Sequence, residues 1–251
     1  MNYYTPFLSI VIPCHNEAKN IRDTVYKVIR YGERNLMGRY EILLVENGST
    51  DGTFLICKEM ERVYRPVRAI HLEERSKAFA VRHGMLKARG EYRYMCDCDL
   101  STPIDEVNHF LELMKDGWDM VIASREHSDS HVDNVIFTRW FMGRVFQSIV
   151  QNVTGLDYKD TQCGFKLFTS RAAVDIFSRA QCVSMAFDVE VLYLAMQFGF
   201  YCTDAPVTWR NDPDSRVRLF ADSFSMFRDV LRIPKMHRNV QPAYKQKKVP
   251  A

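Results

Sequence analysis

Five hydrophobic runs punctuate the first half of the chain: FLSIVIP (7–13), YEILLVE (40–46), VRAIHLE (66–72), EYRYMCD (91–97) and WDMVIAS (118–124). Several are nearly continuous in apolar and β-branched residues, as strands covered on both faces must be. Stretches of helical character fill the gaps, at 17–35, 52–64, 77–89 and 103–116. Strictly alternating elements cover both sheet faces with helices through right-handed crossovers. The pattern predicts an α/β fold on a doubly wound, parallel sheet. At 251 residues with 47% hydrophobic side chains, the chain is long enough to close one such domain around a core.

The rhythm changes after Ser124. Residues 125–133 (REHSDSHVD) are polar and loop-like, and an amphipathic stretch follows at 134–153, with Ile136, Trp140, Phe146, Ile149 and Val153 set among Arg139 and Arg144. A short strand is expected at 163–168 (CGFKLF), helices near 171–179 and 187–198, and a strand near 200–208. The amphipathic segment LFADSFSMFRDVLRI (219–233) leads into a basic, Pro-containing tail over 234–251. No repeat or interdomain linker interrupts this order, so one domain is expected over 1–233.

Charge narrows the partners. Lys and Arg number 34 against 31 Asp and Glu, a net +3 too balanced for a nucleic-acid binder. Seven cysteines without a C-x-x-C pair point to free thiols in a reducing compartment. No apolar run is long enough to cross a bilayer. The opening MNYYTPFLSIVIP lacks a basic region and a small-residue cleavage site, so it reads as a first strand rather than a leader. The expectation is a cytoplasmic protein.

Ligands of parallel α/β sheets bind beyond the carboxyl ends of the strands. There, EYRYM runs into Cys96-Asp97-Cys98-Asp99-Leu100-Ser101-Thr102-Pro103-Ile104-Asp105. Thr102 suits a helix N-cap, Pro103 the first helical position, and Asp105 completes a capping box, which would hold Asp97 and Asp99 in a short turn. Their carboxylate oxygens suit Mg²⁺ or Mn²⁺, and a metal there could bridge the oxygens of a nucleotide diphosphate. The competing reading is a solvated turn, and Asp212-Pro213-Asp214 repeats the triplet in an ordinary-looking loop. Position after a central strand favours the metal. An EF-hand is excluded, because its sixth residue would be Thr102 and its twelfth Asn108.

The first two strands end in Pro13-Cys14-His15-Asn16-Glu17 and Glu46-Asn47-Gly48-Ser49-Thr50-Asp51-Gly52-Thr53. Strand-to-helix loops of this kind expose backbone N–H groups and short polar side chains able to hold a base, ribose or phosphate. Glu17 and Asn47 are expected side by side there. Lys77, near a helix start, could meet a phosphate, where charge and helix dipole add; a solvated lysine is the alternative. Neither G-x-G-x-x-G nor G-x-x-x-x-G-K-[ST] is present, which disfavours a dehydrogenase or a P-loop NTPase. The seven histidines are isolated and are expected mostly on the surface.

Taken in order, eight segments resemble the GT-A glycosyltransferases of family 2, and most nearly the polyprenyl- and dolichyl-phosphate sugar transferases, the β-glucosyltransferase branch above all. They are SIVIPCHNEAKNI, LLVENGSTDGT, KAFAVRHGM, DCDLSTPIDEV, ASR (123–125), YKDTQCGFKLF (158–168), FDVEVLY (187–193) and PVTWRNDPDSRV (206–217). The resemblance implies a GT-A, Rossmann-like fold with a mostly parallel central sheet flanked by helices. Residues 1–125 would form a nucleotide-sugar half and 126–217 an acceptor half, followed by the tail. It also implies a UDP- or GDP-sugar donor, a divalent metal, and inversion at the anomeric carbon. Carried over by position, Pro13, Glu17 and Asn47 would line the nucleoside site, with Lys77 at the phosphates. Asp97 and Asp99 would hold metal and diphosphate, and Arg125 and Asp160 match the catalytic arginine and acid. Arg210, Ser215 and Arg216 match a phosphate-gripping segment. Four positions depart from the family pattern: Asn47 replaces a common aspartate, Ser76 and Ala78 replace glycines around the lysine, and Arg216 replaces a lysine.

With a lipid phosphate as acceptor, already an anion, Asp160 would position groups. With a sugar hydroxyl it would be a candidate general base. Its bland alternative is a loop carboxylate paired with Lys159 or Lys166. The likeness of the DTQCGF and FDVE segments to the glucosyltransferase branch implies UDP-glucose over GDP-mannose, and polyprenyl phosphate is the expected acceptor, with a soluble saccharide or a purely binding role as rivals. The 134–153 stretch and the basic residues Arg228, Arg232, Lys235, Arg238, Lys245, Lys247 and Lys248 suggest peripheral contact with the cytoplasmic face of a membrane; simple packing on the core is the alternative.

Overall fold

A computed structural model describes residues 5–133, 137–210 and 219–240. The five runs become β1 (Leu8–Cys14), β2 (Tyr40–Asn47), β3 (Val67–Leu72), β4 (Tyr92–Met95) and β5 (Met120–Ser124). They alternate with α1 (Ile21–Leu36), α2 (Thr53–Val63), α3 (Lys77–Lys87) and α4 (Val107–Lys115). Then follow β6 (His131–Asp133), α5 (Phe137–Thr154), β7 (Lys166–Thr169), α6 (Ser170–Arg179), α7 (Phe187–Phe198), β8 (Cys202–Pro206), β9 (Thr208–Arg210) and α8 (Leu219–Met236).

Burial follows the pleat. Leu8, Ile10 and Ile12 of β1 join Ile42 and Leu44 of β2 in a core with α1, α2 and α4. Val11, Leu43 and Val45 point the other way, into a second core with α3, α6 and α7. A side-chain period of two thus feeds two helical layers from one pair of strands. Gly84 lets α3 lie close on that second face, since a Cβ there would sit 2.4 Å from Val11 Cγ1.

The main sheet runs β3-β2-β1-β4-β7-β5-β8. It is mostly parallel, as expected, and the exception is β7, which is antiparallel to both β4 and β5 and separates them. Lys166, the first residue of β7, pairs with Met95 and with Ile122 near the carboxyl ends of those strands. An antiparallel insertion therefore delivers the segment before it, residues 160–165, to the edge where parallel strands place their ligands.

Three local expectations also change. The capping box does not form: a 3-10 turn starts at Ile104 after Pro103, Thr102 Oγ1 makes no hydrogen bond, and Asp105 pairs with Arg34 instead. The polar 125–133 loop contains β6, which pairs in parallel with β9 as a small second sheet. Finally, α8 continues through Pro234 to Met236 and buries His237, so residues 234–237 belong to the fold.

Candidate active site

The loops after β1 and β2 are knitted together. The Asn16 amide donates to Ser49 Oγ (3.0 Å), the Thr50 amide to Asn16 Oδ1 (2.8 Å) and the Glu17 amide to Thr53 Oγ1 (2.8 Å). Asp51 accepts from the Ala18 amide and from Thr53 Oγ1. Burial alone would raise its carboxyl, but these bonds bring it below the usual value. Pro13, in register with Val45, leads into this ledge. Glu17 accepts from Asn20 Nδ2 at 3.1 Å, whereas Asn47 is buried. Oriented by its neighbours, the Asn47 amide nitrogen donates to the Cys14 carbonyl (2.9 Å) and its oxygen accepts from the Ser76 amide (3.3 Å). This explains the departure at position 47: an aspartate there would face a carbonyl oxygen with no proton to donate.

Beyond β4, Asp97 and Asp99 flank the buried Cys98. Asp99 Oδ1 accepts from the Ser101 amide at 2.9 Å, closing a turn in which Leu100 takes φ 48°. Desolvation by burial and the neighbouring Asp97 both raise the Asp99 carboxyl above its usual value. Asp97 is ion-paired with Lys77 at the first position of α3, whose N-cap Ser76 accepts from the Phe79 amide. Burial pulls the Lys77 ammonium down, yet the charges of Asp97, Asp188 and Asp99 push it up to about 12. Gly164 packs close to Asp97: a Cβ there would stand 2.3 Å from Asp97 Oδ2. Among the described residues no group of three or more His, Cys, Asp or Glu side chains could hold a metal.

Arg125, one residue past β5, meets Asp160 from the segment before β7. Its Nε donates to Oδ2 (2.7 Å), its Nη2 to Oδ1 (3.0 Å) and its own amide to Oδ2 (3.0 Å). The Gln162 amide adds a bond to Oδ1 at 3.1 Å. Asp160 is paired with Arg125 rather than with Lys159, which is exposed, or Lys166, which is turned inward to Asp188 at 2.5 Å. Burial raises the Asp160 carboxyl, but Arg125 outweighs it and holds the group below its usual value. The guanidinium also lies 5.5 Å from the centre of the Trp209 ring. Arg210, next along β9, stands exposed, and its amide donates to the Ser101 carbonyl at 2.8 Å, so β9 is stitched to the acidic turn. Ser215, Arg216 and the second acidic triplet lie outside the described residues.

Sequence reasoning missed Gly164, Asp188 and Trp209, which all lie inside segments quoted for the resemblance. It also left His237 on the surface, whereas its Nε2 lies 2.7 Å from Glu190 Oε1 with both side chains buried.

A mostly parallel sheet with an antiparallel strand beside the acidic turn, helices on both faces, and paired carboxylates at the strand tip define a GT-A glycosyltransferase. The chain belongs to glycosyl transferase family 2, whose family model matches residues 9–177. It is 32% identical to a dolichyl-phosphate beta-glucosyltransferase of Dictyostelium discoideum over 242 residues, covering 90% of this chain and 73% of that protein. It is likewise 32% identical to the dolichyl-phosphate beta-glucosyltransferase of Homo sapiens, over 91% of this chain and 75% of the other. Among solved structures, glucosyl-3-phosphoglycerate synthase from Mycobacterium tuberculosis, in complex with Mn²⁺ and UDP, superposes with a TM-score of 0.64 at 15% identity, covering 92% of this chain and 80% of that one. A mannosyltransferase from Pyrobaculum calidifontis, in complex with GDP-Man and Mn²⁺, gives 0.58 at 19% identity, covering 85% and 59%.

Proposed function

We propose that this glycosyltransferase moves glucose from UDP-glucose to a polyprenyl, dolichyl-like phosphate with inversion at the anomeric carbon. The names of the relatives support the substrate class. The observation that carries the acceptor choice is Asp160: buried and bound by three amide or guanidinium groups of Arg125 and one amide of Gln162, it has no lone pair poised as a base. A hydroxyl acceptor needs a base, and a phosphate acceptor, already an anion, does not. The acceptor oxygen bonds to C1 as the C1–O bond to the diphosphate breaks, and the electron pair leaves with UDP.

Asp97 and Asp99 would hold Mg²⁺ or Mn²⁺. They fit such an ion, as two hard oxygen donors on one short turn after a central strand. Bound there, a divalent cation neutralises charge growing on the leaving group. Arg125 and Arg210 supply further positive charge at the same edge, Arg125 aligned by Asp160 and Trp209. Pro13, Glu17 and Asn47 shape the ledge for the nucleoside, Asn47 through the loops it joins. Ser215 and Arg216 are assigned to phosphate binding by position only.

No helix among the described residues is long and apolar enough to cross a membrane. On α8 the exposed Phe227 and Leu231 lie beside Arg228 and Arg232, which share Asp229 and keep a net positive charge for an anionic lipid surface. A donor panel with a short-chain prenyl phosphate tests the reading. Glucosyl transfer from UDP-glucose with Mn²⁺ or Mg²⁺ supports it, and equal transfer to a neutral saccharide sinks the acceptor assignment.

A further inference from the structure

Behind the acidic turn, charges of alternating sign run inward. Asp99 and Asp97 stand at the mouth, Lys77 pairs with Asp97, and the buried pair of Asp188 and Lys166 lies behind. Lys166 is fixed, with Nζ 2.5 Å from both Asp188 Oδ1 and the Cys163 carbonyl and its side chain 1% accessible. Asp188 uses only that oxygen. Its Oδ2 is buried and makes no hydrogen bond. A fully buried carboxylate oxygen without a donor is costly and rare, and such an atom calls for an explanation.

Lys77 supplies one. Its side chain is 28% accessible, it lies at a helix start, and the charge of Asp188 already acts on it. As the structure stands, the ammonium neutralises Asp97 and relieves its repulsion with Asp99. A divalent cation bound by Asp97 and Asp99 would repel that ammonium while holding Asp97 in place. The lysine yields, and the unbonded oxygen of Asp188 offers an acceptor.

We propose that Lys77 is an internal counter-cation that guards Asp97 until a divalent metal arrives, and that Asp188 is a positioning residue whose free oxygen receives the displaced ammonium. This rests on the assignment of Asp97 and Asp99 as metal ligands. Lys77 is then a competitor for the cation, and Asp188 lowers the cost of its displacement. Lys166 holds Asp188 stationary through one oxygen and leaves the other available.

The test is Mn²⁺ binding to the full chain without nucleotide, followed by the electron paramagnetic resonance signal of free Mn²⁺ at fixed pH and salt. Lys77→Met is expected to bind Mn²⁺ about tenfold more tightly than the unaltered protein, having lost one nearby positive charge. Asp188→Asn is expected to bind several-fold more weakly, and to have no such effect when Lys77→Met is already present. Binding by Lys77→Met that is no tighter overturns the guard. Equal weakening by Asp188→Asn in both backgrounds overturns the receiving seat and makes Asp188 a distant charge only. If Asp188→Asn does not fold, Lys77→Met alone decides the guard, and Asp188→Glu, which keeps the charge, tests the seat by retaining near-normal affinity or losing it. Asp99→Asn separates this inference from its premise: Mn²⁺ binding that survives that change refutes the metal site itself, whereas binding lost there but unmoved by Lys77→Met refutes only the guard.

Discussion

Asp160 lies deeper than the arginine it holds: its side chain is 5% accessible, and that of Arg125 is 32%. The carboxylate therefore acts as a fixed base plate and the guanidinium as the working surface, stacked against Trp209 and turned toward the strand edge. Removing the plate costs more than removing a surface ion pair. Asp160→Asn is expected to destabilise the domain by about 2–3 kcal/mol, somewhat less than a fully buried pair because Arg125 keeps partial solvent contact. The linkage sign follows from the depressed carboxyl. A lowered folded-state value contributes stability above the ordinary carboxylate range, about 4, and loses it as pH falls through the folded value. Urea unfolding at several pH values checks this. The gap between the two proteins should be full at neutral pH and shrink only in acid; a gap that widens in acid is the wrong sign.

Asp99→Ala should lower glucosyl transfer at saturating donor and metal by at least about a hundredfold, the scale of losing a principal charge stabiliser. Asp214→Ala, from the repeated triplet, should be close to neutral. Steady-state rates of the two variants decide it, and a matching loss at Asp214 would identify the other acidic pair as the working one.

Gly164→Ala adds one methyl group where Asp97 Oδ2 now lies 2.3 Å away. Asp97 must shift, so turnover is expected to fall at least about tenfold, since angstrom-scale misplacement of a binding group carries costs of that order. Thermal unfolding should move less than for Gly84→Ala, whose new methyl meets Val11 and Val45 inside the core. Equal activity to the unaltered protein would show that Asp97 has more room than its contacts imply.

The sheet and its helices were legible because burial on both faces leaves β-branched, nearly continuous runs, and the acidic turn was legible because strand ends in such sheets face the ligand. The direction of β7 was not: four residues of KLFT carry no signal for parallel or antiparallel pairing. That direction brings Gly164 against Asp97 and Asp160 beneath Arg125, so the closest contacts of the site stayed hidden with it. The capping box failed for a related reason. Thr102 satisfied the local pattern, but Asp105 found a partner in Arg34, seventy-one residues earlier. Tertiary contacts of this kind leave no trace in spacing.

The expected tail supplies the last case. His237 follows Pro234, a residue that ordinarily ends a helix, yet α8 passes through it and the imidazole reaches Glu190 beneath the surface. Glu190 also accepts from the Gln181 and Cys182 amides at 2.7 and 2.9 Å. One residue on, the Val183 carbonyl accepts from Ser76 Oγ, the cap of the helix that presents Lys77. The end of α8 is thus tied to the active-site edge through one buried carboxylate. His237→Ala would strip that carboxylate of a partner without solvent to replace it, and should cost about 1–3 kcal/mol of stability. Ending the chain at Ile233 should cost at least as much, while replacing the exposed Leu231 by Ala should change little. Denaturant midpoints of the three variants check the order; a chain ended at Ile233 with unaltered stability would return residues 234–237 to the status of a dispensable tail.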